Sequence, residues 1–224
     1  MLIAKISRRV QRPVVLLAIN KAQFFMRSFS FLLLATFFTM VTFGQNNQKP
    51  VDKLGITGPV KFDNKAYNLS WSSHPSPNYY KQEYMQAGED VNKYKSMVMV
   101  EAAKGPVTPK AAMESKIAEL KEMGFSNPFI SYENFSLADK GEYILDFVVT
   151  QNAADNKSAI IAERNVYRYR SLPNNGGVAL FAISVRSYGA DTKGFLSNLK
   201  NERNILVDKV KGFNFPEVKI KQGN

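Results

Sequence analysis

Arg164, Arg168 and Arg170 fall at even positions of one extended run, Ala159–Arg170, and Arg186 falls in the next, Val178–Tyr188. Side chains two residues apart on a strand share a face, and guanidinium forks on one face can hold carboxylate or phosphate groups through paired hydrogen bonds. If Asn174–Gly177 reverses the chain, facing residues have numbers that sum to about 351, which puts Arg164 near Ser187 and Arg186 beside it. These four arginines are the candidate binding residues, suited to an anionic ligand or partner. The competing reading is a solvated outer face balanced by Glu142, Asp146 and Glu163, with Tyr167 and Tyr169 turned to the core.

Other chemistries have few residues to work with. The 224-residue chain has no cysteine and one histidine, which excludes thiol nucleophiles, disulfide frameworks and Cys-based zinc or iron–sulfur sites. His74 lies between Ser73 and Pro75 at a strand end. As a base or metal ligand it would need partners from afar, so it reads as an exposed histidine, and no metal site or cofactor is expected. There is no Gly-x-Ser-x-Gly elbow, and Asn174–Gly177 joins two strands where a phosphate loop would open a helix. Two acids flanking a bond would suffice for a glycosidase. The candidates are Glu83, Glu101, Glu133, Glu142, Asp146 and Glu163, with Asp146 placed by alternation on the outer face beside Ile144, Val148 and Thr150. Asn68-Leu-Ser, Asn134-Phe-Ser and Asn156-Lys-Ser match glycosylation acceptors, which matter only in a eukaryotic secretory route.

The net charge of +11 suggests a nucleic-acid or membrane binder until its distribution is considered. Residues 1–44 hold six of the 30 basic residues and no acidic one, which leaves 24 against 19 in the remainder, a charge of +5. That value needs no nucleic acid to explain it. Within the basic stretch, Phe29–Phe43 is an apolar run that ends at Thr42-Phe43-Gly44. It is short for a bilayer span and fits an export signal cleaved after Gly44, with an uncleaved anchor as the alternative. Translation from Met26 would give a signal of ordinary length; a long basic leader from Met1 is the other possibility. Gln45 stands where a lipoprotein would carry cysteine. The product is therefore expected to be periplasmic or extracellular, with no stable membrane span after cleavage.

Residues 45–58 read as a polar spacer, 59–218 as one domain and 219–224 as a polar tail. Period-two patterning predicts strands at Val60–Asp63, Ala66–Ser73, Tyr79–Met85 and Ser96–Ala103, with one helical turn at Glu89–Tyr94. Thr108-Pro109 opens a helix whose Ala112, Met113, Ile117, Leu120 and Met123 recur at helical spacing until Gly124. Strands at Phe129–Phe135, Glu142–Gln151, Ala159–Arg170 and Val178–Tyr188 follow. A last helix, capped by Asp191 or Thr192, carries Phe195, Leu196, Leu199, Leu206 and Val210 on one face and stops at Gly212. Four strands, a helix, four strands and a helix make an α+β fold on a mainly antiparallel, curved sheet flanked by two principal helices.

Tyr84-Met-Gln-Ala-Gly-Glu-Asp90, the Asn-Asn-Gly-Gly hairpin and Val185-Arg-Ser-Tyr-Gly189, in this order of elements, resemble the PsbP/Mog1-like fold over residues 59–218. They also look like phrases from small secreted proteins of Bacteroidetes-type bacteria. The resemblance implies a binding or assembly role more than an enzymatic one. The function expected is therefore that of an exported, non-catalytic envelope protein that binds or helps assemble a partner. The alternatives are a small-ligand carrier with an apolar cavity under its aromatic strands, or a carboxylate-based hydrolase acting on an envelope glycan.

Overall fold

The computed structural model describes residues 49–221 apart from residue 57. The expected export signal and the Met26 start lie outside the described residues. Strands β1 (Val60–Phe62), β2 (Lys65–Ser76), β3 (Tyr79–Met85) and β4 (Ser96–Lys104) come first, followed by helix α1 (Pro109–Gly124). Then come β5 (Ser131–Leu137), β6 (Glu142–Asn152), β7 (Ala159–Ser171), β8 (Gly177–Tyr188) and helix α2 (Asp191–Gly212). The fold is α+β: one curved antiparallel sheet in the order β1-β2-β3-β4-β8-β7-β6-β5, flanked by helices. Each half is a meander, and β8 returns to the middle to pair with β4.

Both faces of the sheet are covered, which explains why its central strands read as nearly continuous apolar runs. On one face Val98 and Val100 of β4, Phe181 and Ile183 of β8 and Val166 of β7 pack under α2 with Val207 and Val210. On the other, Met99, Leu145, Phe147 and Leu180 pack under Met113 and Leu120 of α1. Thr108 caps α1 as its spacing predicts, its hydroxyl accepting from the Ala111 amide at 3.2 Å. The α2 cap differs: Ala190 occupies the cap position with no side-chain bond, and the Thr192 hydroxyl instead donates to the carbonyls of Ala159 and Gly189.

Two further expectations need correction. Glu89–Tyr94 is no helical turn; Asp90 and Lys93 pair as an isolated bridge, with the Asp90 carboxylate accepting from the Asn92 amide. The folded unit also begins before Pro59 and runs past residue 218. Leu54 and Ile56 are buried, the Gln82 side-chain carbonyl accepts from the Lys53 and Leu54 amides, and the amides of Lys219 and Lys221 donate to Leu54 and Lys53. Two apolar residues in a polar stretch suffice to dock it, because a buried amide of the β3 chain satisfies the backbone groups that come with them.

Candidate functional site

Strand β7 aims Arg164, Arg168 and Arg170 at α2, and the first two are only 4% exposed. Arg164 holds Asp146 with two parallel bonds of 3.0 and 3.1 Å and donates to the carbonyls of Glu202 and Arg203. Arg168 pairs with Glu142 at 2.6 Å and donates to the carbonyls of Val210, Lys211 and Phe213 around the end of α2. Arg170 donates to the carbonyls of Phe215 and Pro216 and lies over the Phe215 ring. A helix C-terminus carries partial negative charge and unpaired carbonyls, which Arg168 meets, while Arg164 reaches carbonyls midway along the helix and Arg170 those beyond it, so the row fastens α2 and the segment after it.

The expected shared arginine face is thereby corrected. Arg186 points to the opposite side of the sheet, where it pairs with Glu163 at 2.5 Å and lies over Tyr94. The observed register sums to 349, with Arg164 facing Val185 and Arg186 facing Glu163. Asn174 and Asn175, both at positive φ, are the centre of the turn, so it pivots one residue earlier than the two glycines suggest. Because facing residues share a side, an even position on β7 lies with odd positions on β8. Asp146 likewise leaves its expected outer face: it is 2% exposed, since the face taken for outer is the one α2 covers.

On this same side, the N-terminal half of α2 packs less closely. An open groove of about 630 Å³ separates it from the β1–β2 hairpin. Its floor includes Phe62, Tyr67, Ile183, Val185, Phe195 and Leu206, and its lining carries Lys65, Lys93 and Lys95 with Asp191 of the first turn of α2. Asp63, also in the lining, is bridged to Lys209 of α2 at 2.7 Å.

The other side carries a polar row that leads away from α1 toward β2. Register sets Trp71 opposite Glu83, Ser73 opposite Lys81, and Lys81 opposite Glu101. The Lys81 ammonium lies 2.9 Å from Glu83 and 5.9 Å from the centre of the Trp71 ring. Burial pushes the Glu101 carboxyl above the ordinary carboxylate range, while the Lys81 ammonium and a hydrogen bond from the Tyr79 hydroxyl pull it back. Burial also raises Tyr79, Tyr167 and Tyr169, with Glu101 the next cause for each. At the α1 end, Lys116 and Glu119 form a buried pair at 2.9 Å, and Glu119 Oε1 has no hydrogen-bond partner.

Of the six candidate acids, only Glu83 and Glu101 share a neighbourhood away from an arginine. Glu142, Asp146 and Glu163 are each held by an arginine, and Glu133 is bridged by Arg203 at 2.8 Å. His74 stacks on Tyr80, ring centres 4.0 Å apart, with Nδ1 3.0 Å from the Tyr79 carbonyl oxygen. Sequence reading missed Trp71 as a surface group because strand alternation assigns it to the side occupied by Leu69. It missed the Lys116–Glu119 pair too, although its i,i+3 spacing among Met113 and Leu120 was visible. Among the described residues no group of three or more metal-ligating side chains comes together, and no helix is long and apolar enough to cross a membrane.

A protein-family model matches residues 54–215. The chain belongs to that family. No curated protein and no solved structure matches it. The matched span opens at Leu54, the first core residue of the docked N-terminal segment, and closes at Phe215, whose carbonyl and ring hold Arg170. It therefore contains the groove, the arginine row and the polar row.

Proposed function

We propose that this is an exported, non-catalytic envelope protein that binds or helps assemble a partner, and that it takes the partner in the groove between the β1–β2 hairpin and α2. The groove carries the reading. Its floor is apolar and its volume of about 630 Å³ lies in the range of binding sites, while Lys65, Lys93 and Lys95 along the rim favour an anionic segment or ligand. Basic side chains at a rim chiefly steer encounter and set salt dependence, with the apolar floor supplying affinity. The export part rests on the basic stretch and apolar run before Gln45.

A photoreactive amino acid at Leu206, introduced in the native host, tests the site. The expected result is one dominant crosslinked species, weakened by added salt and by changing Lys65, Lys93 and Lys95 together to Glu. Diffuse labelling that ignores the triple change would reject the groove as the docking site. N-terminal sequencing of the mature protein is expected to begin at Gln45, and an intact leader on a membrane-bound product would reject cleavage.

A further inference from the structure

Trp71, the single tryptophan of the chain, is 43% exposed, and the backbone departs from regular pairing to put it there. Leu69 faces Tyr84 and packs with the core beneath α2. Trp71, two residues on, would fall on the same side if β2 were regular. Instead β2 advances two residues while β3 advances one, from Tyr84 to Glu83, so Ser70 is an extra residue in the pairing. Such a bulge re-aims the side chains that follow it. The largest side chain in the chain is thereby taken off the core face and set on the polar row. A second shift, between Ser73 and Ser76, ends that stretch, so Trp71 and Ser73 are the pair it turns over.

The polar row that starts at the indole is a mixed set of partners, with Lys81 over the ring and Glu83 opposite Trp71 in register. Glu83 and Glu101 offer carboxylate oxygens, Lys81 offers a multiple donor, and the Tyr79 and Ser73 hydroxyls can do either. Lys81 and Glu83 keep 12% and 13% of their side-chain surface, so the row is desolvated enough for hydrogen bonds to count and open enough to be reached. Neighbouring donors and acceptors beside a flat apolar ring match a sugar ring, whose vicinal hydroxyls each donate and accept and whose C–H face is apolar. A partner that is purely anionic would meet Glu83 and Glu101, and a purely apolar one would strand Lys81.

We infer that Trp71, Lys81, Glu83 and Glu101 form a saccharide-binding platform on the side of the sheet opposite the groove. It lies beyond the partner-docking reading and does not rest on it. The bulge serves the platform by turning the indole out, so that a sugar stacks on the ring face that Lys81 does not lie over while Glu83 and Lys81 take adjacent hydroxyls.

Trp71 supplies its own probe. Titration of intrinsic fluorescence with chitotetraose, cellotetraose and maltotetraose is expected to give a saturable change for at least one of them, and glycerol at equal concentration is expected to give none. By calorimetry, Trp71→Ala should weaken that sugar about tenfold or more and Glu83→Gln measurably, while Trp71→Phe retains part of the binding. The melting temperature of Trp71→Ala should stay near that of the parent, and the crosslink at Leu206 should be unaffected. Absence of a saturable response to all three tetrasaccharides, an equal response to glycerol, or undiminished binding by Trp71→Ala overturns the inference. If Trp71→Ala does not fold, unchanged sugar affinity in Glu83→Gln and Trp71→Phe together overturns it.

Discussion

Arg164 and Asp146, facing the same helix from adjacent strands, are joined by two parallel hydrogen bonds of 3.0 and 3.1 Å with almost no exposed surface. Asp146 also lies 3.4 Å from the Arg203 guanidinium of α2. The carboxylate therefore ties β6 to β7 and, through both arginines, to the helix. A charged pair placed where Val166 and Ile144 also pack costs desolvation, and its fork geometry fixes how α2 lies over the sheet.

Removing one partner of that pair should be far worse than removing both. Asp146→Asn is expected to destabilise the protein by about 3–5 kcal/mol, because Arg164 is left buried with a weaker acceptor. The double change Asp146→Val with Arg164→Met should cost much less than the two single changes added together. Urea unfolding of the three variants checks this, and additive costs would show that the pair is not coupled.

Arg168 gathers three carbonyls at the end of α2, at 3.0, 3.3 and 2.7 Å. Arg168→Met should keep the sheet and free the helix end. The expected outcome is faster amide exchange in residues 207–219 than in β4 and β8, with loss of about 2–4 kcal/mol in global stability, since Glu142 loses its partner as well. Uniform acceleration across the sheet would place Arg168 in the global core instead.

Much of this architecture was legible because its determinants are local. Thr108-Pro109 sets a helix start, period-two runs set the strands, and the Asn-Asn-Gly-Gly turn sets the β7–β8 pairing. The arginine face was misread because alternation says which residues share a side but not which side is covered. Arg164, Arg168 and Asp146 look like a solvated stripe until α2 lies on them. Arg186 was misplaced by parity and not by the pivot: a pairing sum of 351 or of 349 is odd, so an even position on β8 faces an odd one on β7 and cannot share a side with Arg164. Trp71 was hidden for a different reason: an inserted Ser70 reverses the alternation, and no composition signal marks a bulge in advance. Gln82 as the anchor of Leu54 depends on contact across 28 residues, which no local pattern encodes.

Gly177 tests how tightly the β7–β8 turn rejoins the sheet. It sits at φ +137°, and a Cβ there would overlap the Ala103 carbonyl oxygen. Gly177→Ala must therefore push β8 away from β4 as well as strain its backbone, with an expected loss of more than about 1 kcal/mol. Gly176→Ala, at negative φ with its nearest contact at 3.2 Å, should be better tolerated. Equal melting temperatures for the two variants would contradict the close approach.

Glu101 gives the polar row a pH signature. Burial is the leading cause of its raised pKa, opposed by Lys81 and Tyr79, so the folded protein binds this proton more tightly than the unfolded chain. The sign follows from linkage. Stability from this group is fully present below the ordinary carboxylate value and is lost as pH rises through the raised one. Glu101→Gln, neutral at every pH, should therefore raise the melting temperature relative to the parent above the raised pKa, and the difference should shrink as pH falls toward 4. Differential scanning calorimetry at pH 4 and pH 8 checks both arms. A variant less stable than the parent at pH 8 would mean that the attraction of Lys81 and the Tyr79 hydroxyl outweighs the cost of burying the charge.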